Sequence, residues 1–176
     1  NFGMFNSSSK NLIVFDNWFH PLFVSNQQER LNSINYFMCC LNRSIIDKVT
    51  TLASDLNLEN KIGIHVRLTD FNINSAKRED YLDKLMSIES DSFVVSDSKS
   101  FLRSLALSPK LTTYIHDSYP RKKLFFKSWK NNTYTSPSSA KCGLVDLLLL
   151  SRCKSIHSFQ NSSFSELARV FSNHSF

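Results

Sequence analysis

Lys61-Ile-Gly-Ile-His-Val-Arg67 is the stretch on which the fold turns. Ile62, Ile64 and Val66 alternate with Gly63, His65 and Arg67, the period of two that sends successive side chains to opposite faces of a β-strand. Residues 41–58 just before it have a different rhythm, with Leu41, Ile45, Ile46, Val49, Leu52, Ala53 and Leu56 at helical spacing. Beyond the strand the two patterns take turns. Helices are expected over 78–88, 99–107, 121–129, 138–151 and 163–171, and strands over 92–96, 111–115 and 155–159. Upstream, 11–15 reads as a strand, Pro21 interrupts the aromatic FDNWFHPLF, and a helix runs from Ser25 towards Cys40. Strands separated by helices build βαβ units, so the expected class is α/β: a Rossmann-like parallel sheet with helices on both faces. Ligands of such sheets sit beyond the carboxyl ends of the strands.

The chain has 176 residues, enough for one domain with a proper core. It begins at Asn1 rather than Met, as expected of a fragment or a processed product. No apolar run approaches the roughly 18 residues of a membrane span, because Asp146 interrupts even the leucine stretch around it. The visible part is therefore expected to be soluble, with membrane association only through segments outside it. Lys and Arg outnumber Asp and Glu by 21 to 15, a net charge of +6 that favours anionic ligands. The excess is spread out, Arg121-Lys122-Lys123 being its one dense run, and no aromatic-basic sheet motif accompanies it, which argues against nucleic acid. Cys39, Cys40, Cys142 and Cys153 have neither C-x-x-C nor zinc-ligand spacing. They read as mostly buried thiols, with a Cys142–Cys153 pairing left open for an oxidising compartment. No metal site and no cofactor is expected.

The polar residues after each strand are the candidates for chemistry. Behind 61–67 come His65, Arg67 and Asp70; behind 92–96 comes Asp97; behind 155–159 come Asn161, Ser162 and Ser163. An arginine at a strand end presents a fixed fork of donors to two oxygens of one phosphate, and its competing use is a salt bridge to Asp70. Ser96-Asp97-Ser98 also suits an N-cap for the helix after it. Serines at a helix start cap unpaired N–H groups, and Ser163-x-x-Glu166 has capping-box spacing. The same free N–H groups and hydroxyls also suit a phosphate. Asp146 lies inside Leu144–Leu150, where a carboxylate needs a defined donor: nearby backbone, or the N–H groups of a ligand such as a guanine edge.

With these residues in view, IGIHVRLTDF resembles the HxRxxD segment of the GDP-fucose-dependent fucosyltransferases. FVVSDS, VDLLLLSRCK and NSSFS follow in that superfamily's order, and the gap from Asp146 to Ser162 fits as well. NSSFS after SRCK and the earlier DNWFHPLF bring the chain nearest the α-1,2-fucosyltransferase family. It departs from that family where Leu68-Thr69 replaces Arg-Gly, an ending more like the α-1,6-type enzymes; the Trp pair after NSSFS and the Gln of the aromatic motif are missing too.

The resemblance implies the C-terminal donor-binding lobe of a GT-B fold over 59–176, with 1–58 the end of an N-terminal lobe and connecting helices. It implies an inverting, metal-independent transfer of fucose from GDP-fucose to a hydroxyl of a glycan, with a galactoside as the expected acceptor. The implied donor contacts are His65, Arg67, Asp97, Asp146, Asn161, Ser162, Ser163 and Phe164, with Asp146 and Asp97 on the guanine or ribose. Arg67 would stabilise the departing phosphate, and Asp70 or His65 would serve as, or orient, the general base. The other readings are a fucosyltransferase of α-1,6 or protein-O type and a non-catalytic nucleotide-sugar or glycan-binding domain. The compartment depends on the source: cytoplasmic or membrane-associated in a bacterium or virus, Golgi lumen in a eukaryote.

Overall fold

The computed structural model describes residues 27–68, 75–106, 108–119, 121–122, 133–134, 137–159 and 162–172. The chain divides into two compact units, 1–40 and 41–176. The first unit contains helix α1 (Gln27–Cys40). Cys39 and Cys40 are exposed there, against the expectation of buried thiols, because they occupy the last turn of α1. The strand expected over 11–15 and the aromatic stretch after it lie outside the described residues.

The second unit follows the alternation read from the sequence. In chain order it comprises α2 (Arg43–Asp55), β1 (Ile62–Val66), α3 (Ser75–Met86), β2 (Ser92–Ser96), α4 (Lys99–Leu105), β3 (Leu111–Thr113), β4 (Arg121–Lys122), β5 (Thr133–Tyr134), α5 (Pro137–Ser151), β6 (Ser155–Ser158) and α6 (Ser163–Ser172). Four strands form one sheet in the order β3-β2-β1-β6, every neighbouring pair parallel. His65 stands opposite Val95 on one side and Ser158 on the other. The helix expected over 121–129 is overturned at its start: Arg121 and Lys122 pair antiparallel with Tyr134 and Thr133 as a separate two-stranded ribbon. That pairing is made with residues beyond any local window, so helical periodicity could not foresee it.

Alternation along β1 sorts its side chains between two layers. Ile64 and Val66, with Val94, pack against Tyr81 and Leu85 of α3 and Phe101, Leu102 and Leu105 of α4. Gly63 and His65 face the other way. A Cβ at Gly63 would lie 2.8 Å from Leu150 Cδ1 and 2.9 Å from Cys153 Cβ, so glycine is what lets the end of α5 come this close to the strand. Helix α5 is buried at every position from Val145 to Ser151, as expected of a helix enclosed on all sides. It packs against β1 and β2 and between α2 and α6. Deleting a side chain such as Leu149 from this layer would cost about 2–5 kcal/mol.

Helix α6 is fastened to the strand before it. Arg169 donates from Nε and Nη2 to the Ile156 carbonyl of β6, at 3.2 and 3.1 Å, and also pairs with Glu166. The fastening ties the last turn of α6 to the beginning of β6, and the start of α6 is held at the end of β1 by the contact of Ser165 with His65. The chain passes from β1 towards β2 and β3 and returns to β6 on the opposite side of β1, so this crevice is the topological switch point of the sheet.

Candidate functional site

Two polar clusters lie at this edge of the sheet. The first is built on His65, the fourth residue of β1, which is 6% exposed. Its Nδ1 lies 3.0 Å from Ser165 Oγ, and its ring packs at 4.6 Å on Phe164. Burial pushes the His65 pKa from its ordinary 6.5 down to about 4; Asp97 pulls it back up and Arg67 presses it further down. The imidazole is therefore neutral at physiological pH and carries a single N–H. Arg67 stands half-buried just past the end of β1. The next residue is pinned: Leu68 donates its N–H to Asp97 Oδ1 at 2.8 Å, tying the segment after β1 to the end of β2.

Helix α6 begins at Ser163, which makes Ser162 the N-cap residue; its carbonyl accepts the Glu166 N–H at 3.0 Å. The expected Ser163–Glu166 capping box is not formed, since Ser163 is exposed and Glu166 turns to Arg169. Ser162 is the unusual residue. It is 5% exposed, and its Oγ is buried with no hydrogen-bond partner among the described residues. A buried hydroxyl without a partner costs free energy, and this one lies at the positive end of a helix. Ser98, by contrast, caps α4 in the ordinary way, accepting the Phe101 N–H at 3.4 Å.

The second cluster lies between α5 and the segment after β3. Asp146 is 7% exposed and its Oδ1 is 2.6 Å from His116 Nε2. Burial raises the Asp146 pKa, while the hydrogen bond and charge of His116, and the charge of Lys48, lower it. The His116 ring stands edge-on to Tyr114 at 4.7 Å, and its backbone N–H donates to Tyr119 Oη at 3.1 Å. The donor that Asp146 demands is thus a histidine from a distant element.

The structure gathers His65, Ser162, Ser163 and Phe164 at the switch point, with Arg67 at the end of β1. Asp97 braces the strand end, and Asp146 sits with His116. Asp70 and Asn161 lie outside the described residues. Ser165 and His116 join these clusters without being among the residues expected from the sequence. Ser165 was legible, since it shares the inward stripe of α6 with Ala168 and Phe171; His116 carried no local signal. Cys142 and Cys153 are free thiols, and burial pushes the Cys153 thiol up to about 12. Among the described residues no cluster of His, Cys, Asp or Glu has the makings of a metal site, and no helix is long and apolar enough to cross a membrane.

No family model and no curated protein matches the chain. Among solved structures it is similar to NodZ alpha-1,6-fucosyltransferase co-crystallized with GDP, at 19% identity and a TM-score of 0.48, over 73% of this chain and 41% of that one. It is similar also to NodZ alpha-1,6-fucosyltransferase soaked with GDP-fucose, at 19% identity and a TM-score of 0.47, over 74% and 42%. The chain spans about two fifths of the length of these structures. At this level of likeness a functional reading has to stand on the chain's own residues.

Proposed function

We infer that the chain is the donor-binding lobe of a two-lobed glycosyltransferase that moves fucose from GDP-fucose to a hydroxyl of a glycan acceptor. The observation that carries this is Ser162: a buried hydroxyl without a partner among the described residues, at the N-cap of α6, the helix whose Ser165 bonds His65 near the end of β1. Helix N–H groups, the hydroxyl and a guanidinium together suit a diphosphate. The four motifs in superfamily order select GDP-fucose among donors of that kind.

In an inverting transfer the acceptor oxygen bonds to the anomeric carbon as the bond to the β-phosphate breaks, and negative charge grows on the departing GDP. Arg67 and the start of α6 stabilise that charge, so no metal is required. His65 is held through Nδ1 by Ser165 and packed on Phe164, which suits it to orient a neighbouring group, and Asp70 is the carboxylate that the HxRxxD segment offers as general base. Asp146 receives the guanine. The departures in LTD and after NSSFS leave the linkage between α-1,2 and α-1,6 chemistry, with a galactoside as the first acceptor to try.

Calorimetric titration of GDP, GDP-fucose, GDP-mannose and UDP-sugars tests the donor. GDP and GDP-fucose bind and UDP-sugars do not; equal or absent binding of all four contradicts the inference. Release of GDP in EDTA by the whole protein, given a galactoside, tests metal independence, and strict dependence on an added divalent ion contradicts it.

A further inference from the structure

Asp146 and His116 are both buried, the imidazole side chain 3% and the carboxylate side chain 10% exposed, so the carboxylate is the less enclosed member of the pair. The histidine is itself held: Tyr119 Oη accepts its backbone N–H at 3.1 Å, and Tyr114 stands edge-on to its ring at 4.7 Å. Oδ1 is engaged by Nε2 at 2.6 Å, which fixes the plane of the carboxylate. A carboxylate has about four lone-pair sites, so an acceptor anchored through one of them still has several to offer a ligand.

We propose that His116 is a positioning residue for base selection: it fixes the Asp146 carboxylate so that paired N–H groups on one edge of a purine are accepted and bases lacking that pair are refused. The proposal rests on the nucleotide-sugar reading above and adds to it the residue that makes the base contact selective. A buried acceptor held in one orientation discriminates because a ligand without the matching donors leaves it unsatisfied. An unanchored carboxylate can turn to meet one donor as easily as two, and selectivity falls. Guanine offers a ring N–H and an exocyclic amine side by side, hypoxanthine only the ring N–H, and adenine neither in that arrangement.

The test is titration of GDP, IDP and ADP into the chain and into His116→Phe and His116→Gln, with melting curves alongside. The unaltered chain is expected to prefer GDP to IDP. His116→Phe, which keeps ring volume but has no donor, should lose at least about tenfold in GDP affinity and most of that preference. His116→Gln, whose amide N–H can reach the same oxygen, should recover much of both. Weakening of all three nucleotides by one factor, or a lower melting temperature with the preference kept, would make His116 merely structural and overturn the proposal. Should both variants fail to fold, nitrogen-15 spectra of the unaltered chain decide it: the His116 imidazole resonances shift with GDP and less with IDP, and bound GDP that leaves them unmoved overturns the proposal. A chain that binds no nucleotide refutes the nucleotide-sugar reading and the proposal with it. A chain that binds GDP and IDP equally refutes the proposal alone.

Discussion

Two buried histidines stand at the same edge of one sheet and have opposite neighbours. His65, at the end of β1, meets the neutral hydroxyl of Ser165, and desolvation carries its pKa down to about 4. His116, beyond β3, meets the carboxylate of Asp146, whose pKa burial raises while the His116 hydrogen bond opposes the rise. A hydroxyl satisfies one ring nitrogen without stabilising a charge, whereas a carboxylate does both. One corner of the site therefore holds a neutral ring, with the charges of Asp97 and Arg67 acting on it from either side. The other corner is an anchored acceptor.

Removing the acceptor should have the largest effect. Asp146→Leu takes the carboxylate from a buried imidazole and is expected to cost about 3–5 kcal/mol in denaturant unfolding. Combining it with His116→Phe should recover much of that, because an apolar pair needs no partner. A double variant no more stable than the single would mean that shape, not charge, holds this corner.

The His65 corner responds to acid instead. Its folded-state pKa lies below its ordinary value, so the stability gained from a neutral ring is fully present above about pH 6.5. That stability is lost as the pH falls towards about 4, by up to about 3 kcal/mol. His65→Gln should flatten this dependence in a series of unfolding curves, and an unchanged slope would show that His65 is not the group titrating.

Arg67→Lys exchanges a directed fork of donors for a single point charge. The expected loss is about 1.5–3 kcal/mol in GDP binding with melting little changed. Equal GDP affinity would reduce Arg67 to a surface charge.

Much of this was legible in the sequence, and the rest has physical reasons for being hidden. The alternation in Lys61–Arg67 and the buried run Phe93-Val94-Val95 announce a covered parallel sheet, because period and apolarity are local properties. Asp146 announced its need for a donor in the same way. Its partner did not, since His116 is brought to it by the crossover from β3 to α5, which only the folded topology defines. Three near-adjacent serines also conceal which one caps. Ser162, Ser163 and Ser165 have equal propensity, and packing assigns them separate fates: one buried without a partner among the described residues, one exposed, one bonded to His65. The Arg121 region misled because a short antiparallel pairing has no signature within a single segment.

The central claim is that the start of α6 receives the donor diphosphate, and Ser162→Ala tests it most directly. Because Ser162 Oγ is buried and bonds nothing among the described residues, its removal should leave stability unchanged or raise it, by up to about 1–3 kcal/mol. Loss of a hydroxyl that contacts phosphate should weaken GDP by about 1 kcal/mol, roughly fivefold. Calorimetry of GDP against the unaltered chain and this variant, with melting curves beside it, gives both quantities. Melting unchanged or raised, with weakened GDP binding, is the predicted result; GDP bound equally by both proteins, or by neither, contradicts the claim.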